Sequence, residues 1–120
     1  MFREMTIQFR VSSFQEGLKW YEAVLGRPAD FSPHEGFAEW ELIPNSWLQI
    51  AEGKVATGSG PIRVCVGDME KELARLEVEL GVKDVEVFSR VEVPVKWCTF
   101  SDSWGNQFGY FQYKQKGMEK

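Results

Sequence analysis

A chain of 120 residues is enough for one domain, and a fold of that length buries roughly two-thirds of its unfolded surface. With 43% hydrophobic and 14% aromatic residues it can build a real core, which excludes a disordered composition. Fourteen Lys and Arg stand against 18 Asp and Glu, a formal charge of −4 without long like-charge runs, so neither a nucleic-acid stripe nor a polybasic membrane patch is expected.

No stretch approaches the roughly 18 apolar residues of a membrane span. The N-terminus, Met-Phe-Arg-Glu-Met, carries an acid and lacks a signal-like apolar run. A cytoplasmic protein with no membrane partner is the expectation. Cys65 and Cys98 have no metal or redox spacing and lie in apolar segments. They read as reduced core thiols, with a disulfide or a functional thiol as the alternatives.

Residues 5–11 alternate apolar and polar, with Ile7, Phe9 and Val11 on one side and Thr6, Gln8 and Arg10 on the other. That pattern predicts a half-buried strand. A helix follows. Ser13 and Glu16 have capping-box spacing, Phe14, Leu18, Tyr21 and Leu25 form an apolar stripe, and Gly26 with Pro28 stops it. Residues 29–53 read as three short strands, with Phe37–Leu42 and Trp47–Ala51 rich in strand formers and turns at 32–36 and 44–46. The Gly- and Ser-containing stretch 53–60 is the candidate linker.

After it the pattern repeats. Pro61–Val66 is strand-like. Asp68 caps a helix striped by Met69, Leu73, Leu76 and Leu80 and closed by Gly81. Residues 84–88, 95–101 and 107–113 read as three more strands, and Asp102, Gly105 and Asn106 have turn chemistry. The order βαβββ, linker, βαβββ is an internal repeat of about 55 residues. The fold class expected is therefore α+β. Two βαβββ modules, about 5–53 and about 61–113 of a single domain spanning 1–120, form a curved sheet around a cavity, with the helices outside.

Three stretches in this order carry a resemblance: "VSSFQEGLKWYEAVLG" at 11–26, "VCVGDMEKELARLEVEL" at 64–80, and "FSDSWGNQFGYF" at 100–111. Together they resemble the vicinal oxygen chelate superfamily, which includes glyoxalases, bleomycin-resistance proteins, extradiol dioxygenases and fosfomycin-resistance proteins. The resemblance implies a homodimer and, in metal-using members, four donor side chains from the first and last strands of each module. Counted onto this sequence, those positions fall at Thr6, Gln49, Pro61 and Gly109. Pro61 and Gly109 have no donor side chain, and shifting a strand by two residues, to Gln8, Gln107 or Phe111, restores no carboxylate–histidine set. No metal and no cofactor are expected. His34 is the only histidine and reads as an exposed turn residue.

Strand alternation turns Thr6, Gln8, Arg10, Trp47, Gln49, Ala51, Arg63, Cys65, Gln107, Gly109 and Phe111 toward the cavity. For strand 95–101 the inward pair is either Trp97 with Thr99 or Lys96 with Cys98. Gly109 leaves room for a ligand, for a bulky neighbour such as Trp47 or Gln49, or for another backbone. Arg10 and Arg63 either pair with acids such as Glu39 and Glu41, or receive an anionic ligand. The tryptophans either fill the core or an interface, or stack on a planar ligand. The sequence favours a metal-independent small-molecule binder using Gln8, Arg10, Trp47, Gln49, Arg63, Gln107 and Phe111, its ligand anionic or planar. The alternative is a glyoxalase- or dioxygenase-related enzyme with an unconventional site, for which Glu39, Glu41 and Glu52 are the nearby carboxylates. A third possibility is an interaction module with a filled cavity. No catalytic residue can be named.

Overall fold

The first strand, β1 (Met5–Val11), covers the alternating segment that predicts it. The computed structural model describes residues 1, 3–55 and 59–115. The chain divides into two units, Met1–Thr57 and Gly58–Lys120. Their boundary falls in the linker expected at 53–60, of which 56–58 lie outside the described residues.

In the first unit β1 is followed by α1 (Phe14–Leu25), β2 (Phe37–Ile43) and β3 (Ser46–Glu52). The sheet order is β1-β3-β2, with β1 parallel and β2 antiparallel to β3. Ser13 Oγ accepts the Glu16 N–H, and Gly26 closes α1 at φ 75° with its N–H on Glu22 O. The Phe14 N–H is satisfied by Glu52 Oε2 at 3.1 Å, so β3 supplies part of the cap. The buried line of α1 runs through Gly17, Tyr21 and Val24, while Phe14, Leu18 and Leu25 are half-buried at its flanks. Gly17 explains the shift from the expected stripe: a Cβ there would lie 2.8 Å from a Val11 methyl, so helix and strand approach closest at the glycine. Phe9, Val11, Ala38, Trp40, Leu48 and Ile50 complete this core.

The first of the three strands expected in residues 29–53 is reduced to one bridge, Phe31 to Glu39. Side chains supplement the backbone bonds that Asp30 and Phe31 exchange with Glu39. Arg27 Nη1 meets Asp30 Oδ1 at 2.6 Å, Arg27 Nη2 donates to Glu41 O at 2.7 Å, and Trp40 Nε1 donates to Arg27 O at 3.0 Å.

The second unit runs β4 (Ile62–Cys65), α2 (Met69–Leu80), β5 (Val87–Ser89), β6 (Val95–Ser101) and β7 (Gln107–Tyr113). Its sheet order is β4-β7-β6-β5, with β4 and β7 parallel and the other neighbours antiparallel. The two units thus share the βαβββ pattern, with Phe31 standing for the short strand in the first. Asp68 Oδ1 caps α2 on the Lys71 N–H at 3.1 Å, and Gln112 Oε1 on β7 accepts the Met69 N–H at 2.8 Å. β5 starts three residues later than expected, after Asp84 takes a left-handed φ of 57° that interrupts extended chain.

The core here is Met69, Leu76, Cys98, Phe100, Phe108 and Tyr110. Cys98 is a core thiol, as expected, and burial pushes it up from its ordinary pKa. Cys65 is exposed, against expectation, because alternation along β4 puts it on the same face as Arg63. The turn 102–106 is closed by its own polar groups. Asp102 Oδ1 accepts the Trp104 and Asn106 N–H groups, and Asn106 Nδ2 donates to Asp102 Oδ2 at 2.8 Å. Gly105 supplies the φ of 83°.

At Gly109 the β6–β7 pair comes unusually close. A Cβ would lie 2.0 Å from the Cys98 carbonyl oxygen, so the neighbour needing this space is backbone rather than a side chain such as Trp47 or Gln49. Gly109→Ala is expected to destabilise by about 2–3 kcal/mol through this overpacking. A lower urea midpoint at unchanged slope would show it, and an unchanged midpoint would mean the strands part freely.

Burial pushes the Tyr110 hydroxyl up to about 12, offset in part by the Arg75 charge. Its folded value is raised, so its stabilising contribution is complete below about pH 10 and fades as pH rises toward 12. Urea midpoints over that range should fall for the native chain and fall less for Tyr110→Phe.

Candidate functional site

Each sheet has a face turned away from its helix. In the first unit Phe9, Val11, Leu48 and Ile50 are buried on the helix side, which leaves Thr6, Gln8 and Arg10 on the other. The parallel register sets Thr6 beside Trp47, Gln8 beside Gln49 and Arg10 beside Ala51. β2 extends these rows with Glu41, Glu39 and Phe37. Gln8 Nε2 donates to Gln49 Oε1 at 3.1 Å, so the two amides act as a pair. The rings of Trp47 and Phe31 lie 5.8 Å apart, which places an exposed aromatic beside the tryptophan.

At the end of this face lies a cavity of about 820 Å³. Gln8 and Arg10 line it together with the start of α1, the turn 34–36, Phe37 and Glu52, whereas Trp47 and Gln49 lie outside its lining. His34 is exposed in a turn, as the sequence suggests, and it also lines the cavity. Glu52 N–H donates to Gly36 O at 2.9 Å and Gly53 N–H to Val11 O at 3.0 Å, which draws the turn to the ends of β1 and β3. No local pattern in residues 32–36 carries that information; it comes from long-range pairing.

In the second unit the buried Cys98 and Phe100 take the helix side of β6, so Trp97 and Thr99 face the other way. The choice left open by the sequence is settled for Trp97 and Thr99. One cross-strand row contains Arg63, Gly109 and Thr99, and the next contains Cys65, Phe111, Trp97 and Phe88. Arg63 donates from Nε and Nη2 to Thr99 Oγ1 at 3.0 and 2.8 Å. Phe88 and Trp97 are stacked, with centroids 6.0 Å apart and planes 24° from parallel. Gln107 lies on the same face, beside Ser101. Phe88 adds to the expected set; its exposure and its pairing with Trp97 follow only from the late start of β5.

The carboxylates expected near the arginines do other work. Glu41 Oε2 accepts the Asn45 N–H at 2.9 Å, and Glu52 Oε2 holds the start of α1. Arg10 Nη1 donates to the Glu52 carbonyl oxygen at 3.3 Å.

The four positions at which metal-using proteins of the resembling superfamily place donors do not fit a divalent cation. Thr6 and Gln49 offer a hydroxyl and an amide, and Pro61 and Gly109 offer no side-chain donor. At Gly109 the Cys98 carbonyl leaves no room for a Cβ. Among the described residues no group of three or more His, Cys, Asp or Glu could hold a metal ion.

No protein-family model matches the sequence, and no curated protein does. Solved structures do. A glyoxalase/bleomycin resistance protein from Catenulispora acidiphila is similar over 91% of this chain and 96% of its own, with a TM-score of 0.76 and 25% identity. A glyoxalase-related enzyme from Clostridium phytofermentans matches over 94% and 96%, with a TM-score of 0.71 and 12% identity. The fosfomycin resistance protein FosX from Mesorhizobium loti matches over 93% and 91%, with a TM-score of 0.63 and 15% identity. With βαβββ order in the second unit, the same order in the first once the Phe31 bridge is counted, and these likenesses over nearly its whole length, the chain has the vicinal oxygen chelate fold.

Proposed function

We propose that this chain is a small-molecule-binding protein that holds its ligand without a metal. The observation that carries the proposal is the exchange of chemistry on the faces turned away from the helices. Two of the four donor positions are Pro61 and Gly109, while the same faces present Arg10, Arg63, Trp47, Trp97 and Phe111. A guanidinium offers a fork of N–H donors to a carboxylate or phosphate. Aromatic rows offer stacking area to a planar ring, worth about 1 kcal/mol beyond area burial. The amides of Gln8, Gln49 and Gln107 add orientation-specific hydrogen bonds. The similarity to a glyoxalase/bleomycin resistance protein and to a fosfomycin resistance protein supports a ligand-binding role.

An enzyme of glyoxalase or dioxygenase type would need an activated group. The nearby carboxylates Glu41 and Glu52 instead hold backbone N–H groups, so the binding role leads. A cytoplasmic homodimer belongs to the same proposal, and light scattering at twice the chain mass would support it.

Calorimetry of chelator-treated protein against planar aromatic carboxylates and their neutral amides tests the function. Saturable binding of the acids, recovered chemically unchanged, is expected. Arg63→Ala and Trp97→Ala should each weaken binding roughly tenfold. Binding that requires an added metal, or conversion of the compound, would contradict the proposal.

A further inference from the structure

We infer that Thr99 is a positioning residue that sets the protein's preference for an acid: it holds the Arg63 guanidinium across Gly109 by one edge and leaves the other edge to the ligand. This rests on the binding function proposed above and adds to it the residue that decides selectivity. Arg63, Gly109 and Thr99 form one cross-strand row over β4, β7 and β6. The outer two are two strands apart, about 10 Å across the sheet, a gap that only a long side chain can span. Arg63 Nε and Nη2 donate to Thr99 Oγ1 at 3.0 and 2.8 Å, so the arginine side chain crosses β7 at Gly109. Gly109 has no side chain to lift it away, and it is buried although Arg63 above it is exposed. A larger residue at 109 would stand between the two partners. The same glycine is one of the four positions at which metal-using proteins of the resembling superfamily place a donor; here a cation of the chain itself spans it.

The edge in use decides the edge on offer. A guanidinium is planar and rigid, with one fork of donors formed by Nε and an Nη and another formed by the two Nη atoms. Thr99 Oγ1 sits in the first fork. Among the described residues Nη1 has no hydrogen-bond partner, so the second fork is open. Its parallel N–H groups match the two oxygens of a carboxylate, whereas a carboxamide presents one oxygen. The threonine hydroxyl is neutral and leaves the positive charge uncompensated. An arginine without this contact would have to be ordered as the ligand arrives; Thr99 orders it beforehand. The next row on the same face holds Phe111 and Trp97, with Phe88 stacked on Trp97, so the open fork stands beside aromatic area.

The test is calorimetric titration of 2-naphthoate and its neutral amide, 2-naphthamide, into the full chain at about pH 7, where the acid is ionised. The readout is the ratio of the two affinities. Thr99→Val removes the acceptor and keeps the branched shape. It should lower the acid preference about fivefold, the scale of ordering one long side chain, by weakening naphthoate. Thr99→Ala should do the same, which covers a failure of the valine variant to fold. Thr99→Ser keeps the hydroxyl and should keep most of the native preference. Arg63→Lys keeps the charge without the fork, and in that background Thr99→Val should change the ratio no further.

A preference that is unchanged or raised when the acceptor is removed would overturn the inference. So would Thr99→Ser behaving like Thr99→Val, or an equal loss from Thr99→Val in the Arg63→Lys chain. A native chain that binds the amide as tightly as the acid would overturn it as well. All of these leave the binding function standing. Only the failure of the wider panel of planar acids and amides bears on that function itself.

Discussion

In each unit the first and last strands lie side by side and parallel, β1 on β3 and β4 on β7. A parallel pair cannot be joined by a hairpin, so the chain must cross over through a helix and return. That crossover covers one face of each sheet and leaves the other to function. It sets Gln8 against Gln49 and Arg63 against Gly109. It also brings the connection after α1 to the strand ends, which is how His34 reaches the cavity. A slip of one residue in either register would turn the buried apolar set outward, so the polar row and the core are specified together.

The polar chemistry divides by location. Ser13, Asp68 and Glu41 accept nearby backbone N–H groups, Glu52 accepts the distant Phe14 N–H, and Asp102 with Asn106 closes the turn. On the open faces Arg63 donates to the Thr99 hydroxyl, and Arg10 donates to the Glu52 carbonyl oxygen among its contacts. A hydroxyl holds a guanidinium less strongly than a carboxylate does. At Gly109 the same sheet geometry that brings β6 and β7 together excludes a donor side chain.

Much of this was legible in the sequence where the cause is local. Caps at Ser13, Gly26, Asp68 and Gly81 mark the helix ends, and period-two alternation marks β1, β6 and β7. What was not legible depends on distant pairing. In β6 both alternating sets mix apolar and polar residues, and only the pairing of Cys98 with the buried Tyr110 decides between them. Alternation already sets Cys65 on the face of Arg63; its exposure there, against the core reading of its residue type, comes from the structure. Phe31 has strand chemistry, yet it forms a single bridge, to Glu39, beside the Arg27–Asp30 pair. His34 lies in an ordinary turn sequence that is tied to β3 by the hydrogen bond from the Glu52 N–H to Gly36 O.

The central claim is that a metal-binding frame is used without metal. Thermal unfolding of chelator-treated protein against Zn²⁺, Ni²⁺, Mn²⁺ and Fe²⁺ tests it most directly. A cation bound only by the folded chain, at a hundredfold excess over its Kd, would add about 2.7 kcal/mol, a rise on the order of 10 °C for a domain of this size. The account predicts no saturable rise with any of the four. A large saturable rise with one of them would contradict it and would put a metal-dependent enzyme in place of a binding protein.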